Sequence, residues 1–248
     1  MSVPAVELEP RLTPAPPGIG IVAPFDLALD RELWRWTPEP VSLYLTRTPH
    51  LDVPVSVEMA EALGDAAALA AACRDVAIAE PGVTAYLCTS ASFVGGLAGE
   101  ARLREAMERG GARRALTTSG AMLEALEALR AQRVAVATPY DAALTDRLVE
   151  FLAEAGIDTT GRGYLGMGED IWRVDADSVR ELARAIPRAG ADALFLSCTN
   201  LPTHDVIPAL ETELGLPVLS ANLVTLWAAL RVLGELPRDR PERLFDAV

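Results

Sequence analysis

Residues 193–200 read Ala-Leu-Phe-Leu-Ser-Cys-Thr-Asn. An apolar run of buried-strand character leads straight into a cysteine, a hydroxyl and an amide, and a near copy, Thr-Ala-Tyr-Leu-Cys-Thr-Ser, occupies residues 84–90. A strand that breaks at its carboxyl end into reactive and small polar side chains fits an open α/β sheet, where ligands bind beyond the strand ends. The duplication extends further. Val-Ala-Pro-Phe-Asp-Leu-Ala-Leu at 22–29 reads like Ala-Thr-Pro-Tyr-Asp-Ala-Ala-Leu at 137–144, and Leu-Thr-Thr-Ser at 116–119 reads like Leu-Ser-Ala-Asn at 219–222. Three matches in the same order, at similar separations, imply two related halves that each present the same three strand-end loops.

Outward from these loops, strands are expected at 18–22, 41–45, up to Cys88, 113–116, 133–137, 193–197 and 217–219. Helices are expected at 27–36, 57–72, 97–108, 121–130, up to 155, 174–186, 206–214 and 223–233. Residues 90–96 and the glycine-rich 161–168 read as connections; the latter has no Walker-type lysine and serine, which argues against a nucleotide site. Alternating strands and helices predict an α/β fold of two pseudo-symmetric lobes, each a small parallel sheet flanked by helices, with the active site in the cleft between them. The first lobe is expected to comprise residues 18–118 with 222–248 and the second 119–221, after a flexible tail of residues 1–17 that holds five prolines.

A chain of 248 residues, half of them apolar, buries a sizeable core without staples. Its net charge of −13 argues against nucleic acid and anionic membrane surfaces, leaving a small molecule or a further copy of itself as partner. No apolar run approaches a membrane span, residues 1–17 lack the features of a signal peptide, and three widely spaced cysteines suggest no disulfide framework; the expected compartment is the cytoplasm.

Cys88 and Cys198 are the matched pair. Brought to one cleft by a pseudo-twofold axis, they suit a racemase: one thiolate takes a proton from a stereogenic carbon while the other thiol delivers one to the opposite face. No cofactor or metal is needed if the resulting anion is stabilised. A free thiol titrates near ~8.5, so one of the pair is expected to be shifted down by backbone N–H groups or a cation. Thr89, Ser90, Thr117, Thr118, Thr199 and Asn200 could bond a substrate carboxylate, with Tyr140 as a further hydroxyl donor. These residues also have plain structural readings: hydroxyls at helix starts are often caps, Asp26 is well placed as an N-cap, and buried cysteines often only pack, as is expected of Cys73. Arg47 could meet a carboxylate. His204, six residues beyond Cys198, raises a Cys-His hydrolase as a weaker reading, since Cys88 has no matching histidine after it. A non-catalytic small-molecule sensor is the alternative from another class, and the apolar face around 226–233 could serve a homo-oligomer or the core.

Cys-Thr-Ser at Cys88, Thr-Pro-Tyr at Thr138 and Ser-Cys-Thr-Asn at Ser197 resemble the aspartate/glutamate/hydantoin racemase superfamily, in the branch holding maleate cis-trans isomerase and arylmalonate decarboxylase. The resemblance covers roughly residues 18–234. Pro24-Phe25-Asp26, the run 28–36, Trp172-Arg173-Val174 and Cys198-Thr199-Asn200-Leu201-Pro202 look most like the ectoine-utilisation racemase-like proteins. The resemblance implies a cofactor-independent enzyme in which Cys88 and Cys198 inherit the two cysteine roles of the maleate isomerases, addition to the alkene and proton supply. It also implies that Tyr140 donates to a substrate carboxylate. The decarboxylases of this branch keep only the second cysteine, so Cys88 argues against simple decarboxylation. Maleate isomerases carry an asparagine in the first loop where this chain has Asp26; a carboxylate there repels a dianion and favours a substrate with an amino or amide nitrogen.

Overall fold

The computed structural model describes residues 8–11, 13 and 16–247; most of the expected tail lies outside the described residues. Two four-stranded sheets, parallel throughout, repeat one topology. β1 (Gly18–Ala23), β2 (Ser42–Arg47), β3 (Val83–Tyr86) and β4 (Ala115–Thr117) are ordered β2-β1-β3-β4. β5 (Arg133–Thr138), β6 (Asp158–Tyr164), β7 (Ala193–Leu196) and β8 (Val218–Ser220) are ordered β6-β5-β7-β8. The matching orders bear out the duplication read from the sequence. β1, β3, β7 and β8 are buried along their whole length, which explains why they read as continuous rather than alternating apolar runs.

The helices are α1 (Asp30–Trp36), α2 (Val57–Leu63), α3 (Ala66–Ala77), α4 (Thr89–Phe93), α5 (Gly96–Arg109), α6 (Thr118–Ala128), α7 (Ala142–Glu154), α8 (Ala176–Ala185), α9 (Ile207–Leu214) and α10 (Ala221–Leu233). α6 and α10, which follow the equivalent strands β4 and β8, pack on each other, and α10 also packs on α1, β3 and β4. Leu226, Trp227, Ala228, Ala229 and Leu230 are fully buried, so the apolar face of α10 is core and not a docking face. One apolar cluster draws on both sheets, from Ile19 and Val83 to Val134 and Phe195. A second, with Met59, Cys73, Leu103 and Met107, surrounds Cys88.

Three expectations are corrected. The helix expected at 57–72 is two, because Asp65 turns its carboxylate to the Ala68 N–H at 2.7 Å and starts α3 afresh. The connection expected at 90–96 begins in helix, with Cys88 as the residue before α4. The first half of the glycine-rich connection expected at 161–168 is the end of β6, the edge strand of the second sheet. Its glycines answer to packing: a Cβ on Gly161 would lie 1.9 Å from the Pro187 carbonyl oxygen, and one on Gly163 would lie 2.8 Å from Ile186. The chain leaving α8 presses on this edge, and no larger residue fits between.

Gly161→Ala is therefore expected to cost about 1–3 kcal/mol of stability by overpacking against backbone. Gly168→Ala, where a Cβ meets only Pro54 at 3.8 Å, should stay within about 0.5 kcal/mol. Urea unfolding midpoints compare the two, and equal midpoints would refute the packing account of β6.

Candidate active site

The loops at the carboxyl ends of β1, β3, β5 and β7 converge. Pro24, Asp26, Cys88, Thr89, Ser90, Tyr140, Cys198, Thr199 and Asn200 line one cavity, whose remaining walls are the apolar Val55, Met59, Leu63 and Ile171. The enclosed space is about 20 Å³, room for about one water. It adjoins a wider outer cleft of about 440 Å³ with which it shares Asp26, Val55, Met59, Ile171 and Asn200.

Both thiols are buried, Cys88 at 4% exposure and Cys198 at 8%. Cys198 has a φ of 88°, a left-handed turn that is rare for a residue with a Cβ, and its sulfur accepts the Asn200 N–H at 3.4 Å. The Cys88 sulfur accepts from the Ala91 N–H and lies 3.9 Å from Ser90 Oγ. These donors favour the thiolate, as expected at such a turn, yet the expected downward shift is not found. Burial outweighs them: it pushes Cys88 up to about 11 and Cys198 up to about 12, and the negative charge of Asp26 adds to both. Cys73, buried on α3 away from the cavity, is likewise pushed up by burial to about 11.

Each thiol has its own tyrosine. Tyr140 faces Cys198 and lies 3.4 Å from Ser197 Oγ, while Tyr86 faces Cys88 and donates to the Leu63 carbonyl at 2.7 Å. Burial pushes both phenols well above their ordinary value. Tyr86 was not singled out from sequence, although its place two residues before Cys88 was a signal. The pairing is not symmetric: by the loop match, Phe25 stands in the first half where Tyr140 stands in the second, and Leu196 where Tyr86 would be.

The hydroxyls divide sharply. Thr89 lines the cavity, and its buried Oγ1 has no hydrogen-bond partner among the described residues. Thr117 and Thr118 do not reach the cavity, contrary to expectation. Thr117 Oγ1 caps α6 by accepting the Gly120 N–H at 3.0 Å and donates to Glu100 at 2.8 Å; Thr118 Oγ1 donates to the Tyr86 carbonyl and accepts from Thr225 at 3.0 Å. Thr199 Oγ1 lines the cavity but donates to the Leu87 carbonyl at 3.2 Å, joining the two cysteine loops. The Asn200 amide is also committed: its oxygen accepts the Ala28 N–H at 2.8 Å, and its NH₂ donates to the Asp26 carbonyl at 2.9 Å and carboxylate at 3.3 Å.

Asp26 is not the N-cap it was expected to be. α1 starts four residues later with no side-chain cap, whereas the matching Asp141 does cap α7, accepting the Leu144 N–H at 2.8 Å. The longer first loop leaves the Asp26 carboxylate at the cavity, where burial raises its pKa against the pull of its own N–H, Asn200 and Arg47. Arg47 does not line the cavity; it donates to the Leu27 carbonyl at 2.8 Å and to that of Phe25 at 3.2 Å. His204 stacks on Trp36 with ring centroids 4.7 Å apart and is not among the cavity residues, so the Cys-His hydrolase reading loses its partner for Cys198.

Known proteins share this fold. Arylmalonate decarboxylase of Bordetella bronchiseptica is 39% identical over 170 residues, 66% of this chain and 71% of the relative. The solved structure of a liganded arylmalonate decarboxylase double mutant superposes with a TM-score of 0.84 at 32% identity, covering 94% of this chain and all of that one. A maleate cis-trans isomerase mutant of Nocardia farcinica, with a covalently bound succinylcysteine intermediate, superposes with a TM-score of 0.83 at 27% identity, over 92% of this chain and 98% of that one. The family model described as arylmalonate decarboxylase matches residues 60–243, from α2 through α10 and including both cysteine loops, and the chain belongs to this Amdase family.

Proposed function

We propose that the protein is a cofactor-independent, two-cysteine isomerase of the racemase type, acting on a small carboxylate that carries an amino or amide nitrogen. The observation that carries this reading is that Cys88 and Cys198, from equivalent strand ends of the two halves, line one cavity beside a buried Thr89 hydroxyl without a partner among the described residues. In the reaction, one sulfur, as thiolate, takes the proton from Cα and becomes a thiol. The electron pair passes into the carboxylate as an enediolate, and the second thiol delivers its proton to the opposite face and is left as thiolate. The roles then stand reversed for the return reaction.

Thr89, Ser90 and Tyr140 hold the substrate carboxylate and the charge that grows on it. Asp26 receives the nitrogen, and Asn200 keeps Asp26 in place. Burial raises both thiols, so whichever acts as base is ionised at a cost, which a substrate ammonium group nearby would reduce. Maleate-type cis-trans isomerisation, with Cys88 adding to the alkene, is the second reading, supported by the succinylcysteine of the Nocardia relative. Against it stands Asp26, which repels a second substrate carboxylate.

Proton NMR in D₂O with amino acids, N-acetyl diamino acids, maleate and aryl malonates tests the choice. We expect deuterium to enter one Cα, with exchange falling at least about 100-fold in both Cys88→Ser and Cys198→Ser. Conversion of maleate without Cα exchange in any other compound would sink the racemase reading.

The pH dependence has a definite sign. A base titrating at about 11 is mostly protonated at neutral pH, so kcat/KM should rise about tenfold per unit from pH 7 to 9. Asp26→Asn removes a negative charge that raises both thiols and should move this limb to lower pH while raising KM for amine-bearing substrates. A limb and KM both unchanged in Asp26→Asn would remove Asp26 from the site.

A further inference from the structure

The turn at Cys198 is held from a distance. Thr203 donates its N–H to Glu32 Oε2 at 3.0 Å and its hydroxyl to Glu32 Oε1 at 2.8 Å. Asn222, on α10, donates to the same Oε1 at 3.2 Å and to the carbonyl of Thr199, the residue after Cys198, at 3.0 Å. One turn further along α1, Arg35 holds Asp205 with bonds of 2.8 and 2.6 Å, and Trp36 stacks on His204. Three side chains of α1 thus grip residues 203–205 in succession, and Asn222 ties that grip back to the cysteine. Glu32 is 8% exposed and touches neither sulfur nor the cavity.

We propose that Glu32 is a positioning residue for Cys198: through Thr203 and Asn222 it fixes the left-handed turn that sets the sulfur against the Asn200 N–H. A left-handed cysteine persists only where its surroundings over-determine it, and here three donors converge on one buried carboxylate. Without that acceptor, residues 199–203 can relax, Cys198 can return to negative φ, and the sulfur leaves the N–H that favours its thiolate. Glu32→Gln keeps one acceptor but turns an NH₂ toward donors, while Glu32→Ala removes both oxygens. The inference does not depend on the racemase reading, because its test follows the thiol and not turnover.

The test is the rate of iodoacetamide alkylation at each cysteine of the full chain, resolved by peptide mass spectrometry from pH 7 to 10. Wild type is compared with Glu32→Gln, Glu32→Ala and a control, Glu211→Gln. Glu211 is equally buried but accepts the Val218 and Arg243 N–H groups and contacts neither cysteine loop. At a given pH, Cys198 alkylation should fall at least about tenfold in Glu32→Ala and by less in Glu32→Gln, with its profile displaced upward, while Cys88 stays within about twofold. Circular dichroism selects the variants that remain folded; if Glu32→Ala does not, Glu32→Gln decides. A Cys198 profile unchanged or faster in the folded variants, an equal change at both thiols, or the same effect from Glu211→Gln overturns the proposal.

Discussion

One backbone torsion, the φ of 88° at Cys198, sets the terms for the rest of the cleft. For an L-residue it costs about 1–2 kcal/mol, and it survives because the chain that follows is fastened to the opposite half of the molecule. Thr199 reaches the Leu87 carbonyl next to Cys88, and Asn200 reaches Ala28 and Asp26. Each bond is worth about 0.5–1.5 kcal/mol net, but breaking one inside the protein leaves a buried group unpaired, which costs more. The bonds that hold the turn are also those that close the cleft, so the geometry of one thiol loop is registered against the other.

Closure and reactivity pull in opposite directions here. A cavity with room for about one water keeps solvent from the two sulfurs, and that loss of solvent pushes both thiols far above neutrality. Backbone N–H donors at both sulfurs recover only part of that cost. Entry of even a small carboxylate requires Val55, Met59, Leu63 or Ile171 to give way, and these belong to short or irregular segments, not to the strands that carry the cysteines. The rigid part of the site therefore bears the chemistry and the yielding part admits the substrate.

The sequence made the architecture legible because its signal was repeated: three loops recur in order, and the buried strands are too apolar to read otherwise. β6 escaped notice because Gly161 and Gly163 look like a turn until Pro187 and Ile186 are seen pressing on them, a contact between distant residues. Among hydroxyls, local pattern cannot separate Thr89 from Thr118. Both begin a helix after a strand, and only the tertiary partners Tyr86 and Thr225 reveal that Thr118 is satisfied while Thr89 is not. The same holds for Asp26 and Asp141, identical in motif and divergent in role because one loop is longer. Asn200 was visible as a polar strand-end residue, but its commitment to Asp26 required knowing that the two halves meet.

The halves meet without being mirror copies, since Tyr140 stands where the first half has Phe25. For a racemase this asymmetry carries a thermodynamic obligation. Two enantiomers have equal free energies in water, so detailed balance requires the forward and reverse specificity constants to be equal, however different the two faces of the cavity are. Any difference between those faces must then express itself in compensating pairs: the hand that is bound more tightly is turned over more slowly, in the same proportion.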